Sequence, residues 1–264
     1  MVESPTPPFD PKAIKAVAFD AYGTLFQLAD AEFRVIIAGS LERQELHPED
    51  VEAVYKTWYG VFSRVGPWRY LFPADMPMGV PERIDRDPMT QGPIPEFFTQ
   101  WEWWRRQWDA TFKIHNLEGD SAAAADDLRE ALSHLEAYPD ALATTDRLAA
   151  AGLRIALLSN ADEDFLQSAV SKNRLRFSVI QSSESLRAYK PHRATFLAAA
   201  HRLSCEPEEV LYVGDSAYAD IHGALRAGLR SVWVRRTERP FPVDCPPADL
   251  EVRSLAEIAD LLLG

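Results

Sequence analysis

The sequence predicts an α/β protein, a parallel-sheet core interrupted by an inserted helical domain. Two observations lead there. Short β-rich runs alternate with helical patterns across the second half of the chain, the signature of βαβ units. From about residue 28 to about residue 137 that alternation stops, and amphipathic helical patterns take over. With 264 residues, 47% of them hydrophobic, the chain can bury a good core and still carry an insertion.

At the N-terminus, "MVESPTPPFDPK" holds two acids and four prolines where a secretory signal would place basic residues and then an apolar run, so a loose tail is expected. The first strand is "AVAFD", residues 16–20. Helices are expected next at 30–46, 48–65, 96–115 and 120–136. Between the second and third, the segment from Pro67 to Pro95 contains seven prolines and is expected to form neither a helix nor a central strand. The later strands are "RIALLSN" (154–160), "FSVIQSS" (177–183), "VLYVGD" (210–215) and "SVWVRR" (231–236). Gly152 and Gly228 stand where helices hand over to strands, Pro191 suits a first helical turn, and Ser254 with Glu257 makes a capping box. The expected division is a core of 1–27 and 138–264 with a helical domain of 28–137.

A net charge of −12 argues against a general basic field for nucleic acid. No stretch approaches the roughly 18 continuous apolar residues of a membrane span. Cys205 and Cys245 fit neither a disulfide framework nor a metal knuckle, and are expected to stay reduced in a cytoplasm. The six histidines show no HxxxH spacing and are assigned to surface or capping positions.

In an open parallel sheet, ligands bind beyond the carboxyl ends of the strands. Asp20 ends the first strand, Ser159 and Asn160 end the second, Lys190 follows the third, and Asp215 ends the fourth, with Asp220 five residues later. Each alone reads as a cap or turn residue. Together they mark a site.

The segments "FDAYGTL", "LLSNAD", "YKPHRATF" and "VGDSAYAD" resemble the four ordered motifs of the haloacid dehalogenase-like (HAD) hydrolase superfamily, spread over about 200 residues. The insertion resembles the helical cap of the subclass whose cap follows the first strand, and "WEWW" and "SESLRAYKP" resemble its phosphatase-like branch. The resemblance implies a Rossmann-like parallel sheet core with an inserted α-helical cap domain. It implies that Asp20 is a nucleophile forming a covalent intermediate that is later hydrolysed at the aspartyl group. Thr24, Ser159 and Lys190 would orient and neutralise the transferred group. Gly23 would let the chain turn so that backbone N–H groups face the pocket, and Asn160 would bind substrate beside Ser159.

Two reactions share this scaffold. Dehalogenases of the superfamily carry Tyr at the position of Tyr22, whereas most of its phosphatases place a second Asp there as general acid. A departing alkoxide needs a proton and a halide does not. The fourth motif points the other way, because the 2-haloacid dehalogenases have Ser and Asn at the positions of Asp215 and Ala217 and work without metal. Asp20, Asp215 and Asp220 against Lys190 leave three negative charges facing one positive, an excess that Mg²⁺ would balance. By the resemblance Asp20, the carbonyl of Tyr22 and Asp215 would be metal ligands, with Asp220 in or next to the set. Phe196 stands where those dehalogenases use Tyr, and neither Arg43 nor Lys56 falls where their halide-receiving arginine is expected.

In "EFFTQWEWWRRQW", Phe97, Trp101, Trp104 and Trp108 make one helix stripe expected to be packing, and Trp103, off that stripe, is expected to wall the substrate pocket. These signals favour a cytoplasmic, Mg²⁺-dependent phosphatase of a small phosphorylated metabolite, acting through an aspartyl-phosphate on Asp20. The alternatives are a metal-independent 2-haloacid dehalogenase or related C–X hydrolase, and an inactive binding or regulatory member of the fold.

Overall fold

Six parallel strands run through the computed structural model, which describes residues 7–71 and 86–264. They are β1 Ala16–Phe19, β2 Arg154–Ser159, β3 Val179–Ser182, β4 Val210–Gly214, β5 Arg230–Val234 and β6 Leu250–Val252, in the order β3-β2-β1-β4-β5-β6. Chain order reverses on either side of β1, so the crevice for a ligand opens at the carboxyl ends of β1 and β4. The strands are apolar almost without interruption because both faces are covered. Val17, Phe19, Leu157 and Val213 pack on one face, and Ala16, Ala18, Leu158 and Tyr212 on the other, as a period of two requires. Strand β6 escapes the sequence patterns because three residues are too few to show a period.

Between β1 and β2 lie α1 Asp30–Arg43, α2 Val51–Val65, α3 Asp87–Gln91, α4 Gln100–His115 and α5 Ser121–Ser133. Their starts are set by acceptors: Asp50 takes the Ala53 N–H, Thr99 the Glu102 N–H, and Asp120 those of Ala122 and Ala123. The Thr99 cap starts α4 four residues later than expected, which leaves Phe97 outside the helix. The single stripe is also corrected. Helix α4 is wedged between α2 and α5, so Trp103, Trp104, Gln107, Trp108, Thr111 and Phe112 are buried, and Trp101 is half-exposed with its indole N–H on Asp126.

The sheet is flanked by α6 Ala141–Ala150, α7 Glu163–Lys172, α8 Ser183–Leu186, α9 Arg193–Arg202, α10 Gly223–Arg226 and α11 Ala256–Leu263. Gly152 and Gly228 adopt φ of +88° and +85° where helices α6 and α10 hand over to strands. Glu257 accepts the Ser254 N–H, while Ser254 Oγ accepts from Ala256, closing the turn before α11. His192 caps α9 by accepting the Ala194 N–H, so Pro191 precedes the helix and does not lie in its first turn. His222, assigned to the surface or a cap, is instead buried against Arg226.

Within the proline-rich segment, Arg69–Leu71 makes a 3₁₀ turn and α3 places Pro88 where a missing N–H costs nothing. The expectation that no helix forms there is corrected for 87–91; residues 72–85 lie outside the described residues. The tail reading is corrected from residue 7 onward, since Phe9 and Ile14 are buried in the core; residues 1–6 lie outside the described residues. Among the described residues, no helix is long and apolar enough to cross a membrane.

Candidate active site

Each polar residue that punctuates a strand end arrives at one place. Asp20 follows β1, and its N–H donates to Val213 O at 2.9 Å, which locks the residue to the end of β4. Gly23 then turns the chain at φ +91°; a Cβ there would fall 2.6 Å from Asp215 Oδ2, so glycine is what lets this turn close on Asp215. Thr24, fully buried, places Oγ1 3.4 Å from Asp215 Oδ1. Beyond β4, Ala217–His222 forms a π-helical turn. Such turns re-aim side chains within a helix and recur at functional sites. Here the turn brings Asp220 inward, where its Oδ2 accepts the Ser216 N–H at 2.9 Å.

Lys190 is the hub. Its Nζ lies 2.6 Å from Asp20 Oδ1, 2.7 Å from Asp220 Oδ1 and 2.9 Å from the Tyr212 hydroxyl. Asn160 holds the lysine backbone from both sides, accepting its N–H at 2.8 Å and donating to its carbonyl at 3.0 Å. Ser159 is buried at the end of β2. No sequence motif marks Tyr212. The available signal is its one hydroxyl in a wholly buried strand, and that hydroxyl also lies 3.1 Å from Asp220 Oδ1.

Burial, with the charge of Asp220 adding to it and Lys190 opposing it, raises the Asp20 carboxyl to about 6. Asp215 is pushed well above the usual carboxylate range by burial and then by the charges of Asp20 and Asp220. Burial alone would pull the Lys190 ammonium down, but Asp20 and Asp220 outweigh it and hold it above its ordinary value.

One oxygen from each of Asp20, Asp215 and Asp220 can be chosen so that all lie within 4.8 Å of one another. Three hard oxygen donors at that spacing fit a divalent ion such as Mg²⁺. Two of the three carboxylates already share the Lys190 ammonium. Tyr22 packs its ring against Phe26 and Phe165, with its hydroxyl 3.4 Å from Phe165 O and 3.5 Å from Leu132 O. Burial first, then the charges of Asp20 and Asp164, raise that phenol above its ordinary value, so it is a poor proton donor.

Trp103 is corrected. It stacks on Phe62 at 4.1 Å, donates its indole N–H to Phe62 O and meets Tyr189 edge-on at 5.3 Å, so it is packing between the insertion and the sheet, not a pocket wall. Arg43 and Lys56 pair with Asp127 and Glu52 at the surface. A cavity of about 500 Å³ does open against Gly23 and Asp215, and Arg34, Arg235, Arg236 and Arg239 line it. The first three have carboxylate partners in Glu52, Glu251 and Asp140. Arg239 is faced by the Tyr59 hydroxyl and also feels the charge of Asp30.

The profile of a hydrolase family, described as haloacid dehalogenase-like hydrolase, matches residues 14–228. The (S)-2-haloacid dehalogenase 4A of Burkholderia cepacia is 34% identical over 152 residues, 57% of this chain and 65% of that relative. The (S)-2-haloacid dehalogenase of Xanthobacter autotrophicus is 29% identical over 225 residues, 84% of this chain and 76% of that one. This chain thus spans just under two thirds of the first relative and about three quarters of the second. A crystal structure of a dehalogenase with an intermediate complex superposes with a TM-score of 0.70 and 26% identity, covering 96% of this chain and 99% of that one. A phosphoserine phosphatase of Thermus thermophilus is 35% identical over only 123 residues, 46% of this chain. The expected phosphatase is therefore overturned, since dehalogenases match more of the chain and the whole fold. The physical reason is that counting acids in the fourth motif weighs charge, whereas the leaving group is decided by whether a proton donor stands beside the nucleophile.

Proposed function

We propose that this protein, which belongs to the haloacid dehalogenase-like hydrolase family, hydrolyses the carbon–halogen bond of a small 2-haloacid or related anion. The observation that carries the proposal is Asp20 paired to Lys190 at 2.6 Å with Tyr22, its hydroxyl donated to the Phe165 carbonyl, in place of an acid two residues on. Such a site supports a leaving group that departs without a proton.

The Asp20 carboxylate attacks the substituted carbon from the face opposite the halogen. The C–X bond breaks, the halide leaves with its electron pair, and an aspartyl ester forms. Water then attacks the ester carbonyl of Asp20. The acyl C–O bond breaks, one proton of the attacking water goes to the departing alkoxide oxygen to give the 2-hydroxy acid, the other is released to solvent, and the carboxylate returns carrying one oxygen from water. Lys190 keeps the attacking oxygen fixed and Asn160 fixes Lys190. Gly23 and Thr24 make the turn after the nucleophile, Ser159 at the end of β2 would help to orient the substrate, and the arginine-lined cavity beside Asp215 suits a carboxylate anion.

Mg²⁺ held by Asp20, Asp215 and Asp220 would offset the remaining negative charge. The proposed displacement does not need it, because Lys190 already pairs the nucleophile. The insertion of residues 28–137 serves as a cap that shields the ester from solvent. Two unpaired cysteines accord with a reducing, cytoplasmic setting. The test is chloride release from (S)-2-chloropropionate by protein stripped of divalent ions with a chelator, with Asp20→Asn as the blank. Release that survives the chelator supports the proposal; no release by the folded protein, with or without Mg²⁺, overturns it.

A further inference from the structure

Asp162 stands at the position where an aspartate ordinarily caps its own helix, immediately before α7, yet it makes no such bond. Asp164 Oδ1 takes the Phe165 N–H in its stead, at 2.7 Å, and Glu184 Oε2 takes the Glu163 N–H, also at 2.7 Å. Both oxygens of Asp162 point to the insertion. Oδ1 accepts the Gln100 N–H at 2.7 Å and Oδ2 the Trp101 N–H at 2.9 Å, the first two amides of α4. The carboxylate is buried, and α4 is 16 residues long, so a negative charge at its N-terminus is well placed.

The same short loop also holds the catalytic lysine. Asn160, two residues before Asp162, brackets the Lys190 backbone, and Tyr189 donates its hydroxyl to Phe98 O at 2.9 Å while stacking on Phe97. Residues next to the reacting groups therefore alternate with residues that grip the start of α4. We propose that Asp162 is a positioning residue: its carboxylate clamps the first turn of α4 and ties the seat of the cap to Asn160 and Lys190.

The clamp responds to pH. Burial raises the Asp162 carboxyl to about 6, against the pull of the Trp101 and Gln100 amides and with a further push from Glu184 of α8 and Asp164 of α7. Asp164 is itself paired with Arg129 of α5, Glu163 accepts the Ser182 hydroxyl, and the Tyr189 phenol is raised by burial and by Asp162. Protonation of Asp162 removes its charge and weakens one of the two acceptors. Acid thus loosens α4 at its first turn.

The experiment follows the Gln100 and Trp101 amides by NMR in ¹⁵N-labelled Asp20→Asn protein, which removes the titration of Asp20. Both amide shifts are expected to move together with a midpoint near pH 6. In protein that also carries Asp162→Asn, the transition disappears and both amides exchange with solvent about tenfold faster or more. On otherwise unsubstituted protein, Asp162→Asn lowers kcat/KM for (S)-2-chloropropionate about tenfold, and Asp162→Glu recovers part of it. Amides that do not titrate, or that exchange no faster, overturn the clamp. A lost clamp with unchanged kcat/KM overturns the positioning role. The turnover arm rests on the proposed dehalogenase activity; if the unsubstituted protein releases no halide, that activity fails and the amides alone decide the clamp.

Discussion

The ammonium of Lys190 lies 2.6 Å from the carboxylate of Asp20, two residues 170 positions apart and both closed off from solvent. The pair is buried, so its two members depend on each other. Removing one partner of such a pair leaves a charge with neither water nor counter-ion, at about 3–5 kcal/mol. Lys190→Met is therefore expected to lower the thermal midpoint clearly and to abolish halide release. Lys190→Arg is expected not to rescue turnover, because a planar fork cannot reproduce three contacts converging on one point. Thermal unfolding and chloride release on the two variants check both statements.

Asp215 has its carboxyl raised well above the usual range by burial and by two neighbouring acids. A folded-state value above the unfolded one costs stability as pH rises through the interval between them, because the unfolded chain gives up its proton first. Asp215→Asn is thus expected to be more stable than the unsubstituted protein at about pH 8, with the gain shrinking toward about pH 4, where the unfolded aspartate also keeps its proton. Denaturant midpoints at the two pH values measure it, and equal midpoints at both would contradict it.

Arg239 faces the cavity beside Asp215, with the Tyr59 hydroxyl and the charge of Asp30 acting on it. A charge-assisted hydrogen bond to a substrate carboxylate contributes about 1.5–3 kcal/mol. Arg239→Gln is expected to raise KM for 2-chloropropionate about tenfold with kcat little changed, the pattern of lost uniform binding. The neutral amide of the same acid should show no such change. Steady-state kinetics with the two substrates decide it.

How much of this was legible in the sequence differs by residue. Asp20, Asp215 and Lys190 could be found because each interrupts or follows an apolar run, and parallel topology brings strand ends to one edge. Tyr212 could not, since an aromatic inside a strand reads as ordinary core and only its contacts reveal the hydroxyl beside Lys190. Asp162 reads as the cap of α7, and nothing local says that it turns toward a helix 62 positions earlier. A single apolar stripe leaves Trp103 outside the packing because it assumes one buried face, and α4 has two. The reaction escapes the sequence for a related reason: a count of charges does not show that one ammonium reaches two of the three carboxylates, or that the Tyr22 hydroxyl is given to a backbone carbonyl.

The central claim is that Asp20 becomes an ester during turnover and is regenerated by water at its own carbonyl. A single turnover in H₂¹⁸O, with excess enzyme over (S)-2-chloropropionate, followed by mass spectrometry of the peptide containing Asp20, tests it most directly. The account predicts that the label enters the Asp20 carboxylate and that the hydroxy acid released in that turnover is unlabelled. Label found in the hydroxy acid with Asp20 unlabelled would mean that water attacks the substrate carbon directly, and would contradict the account.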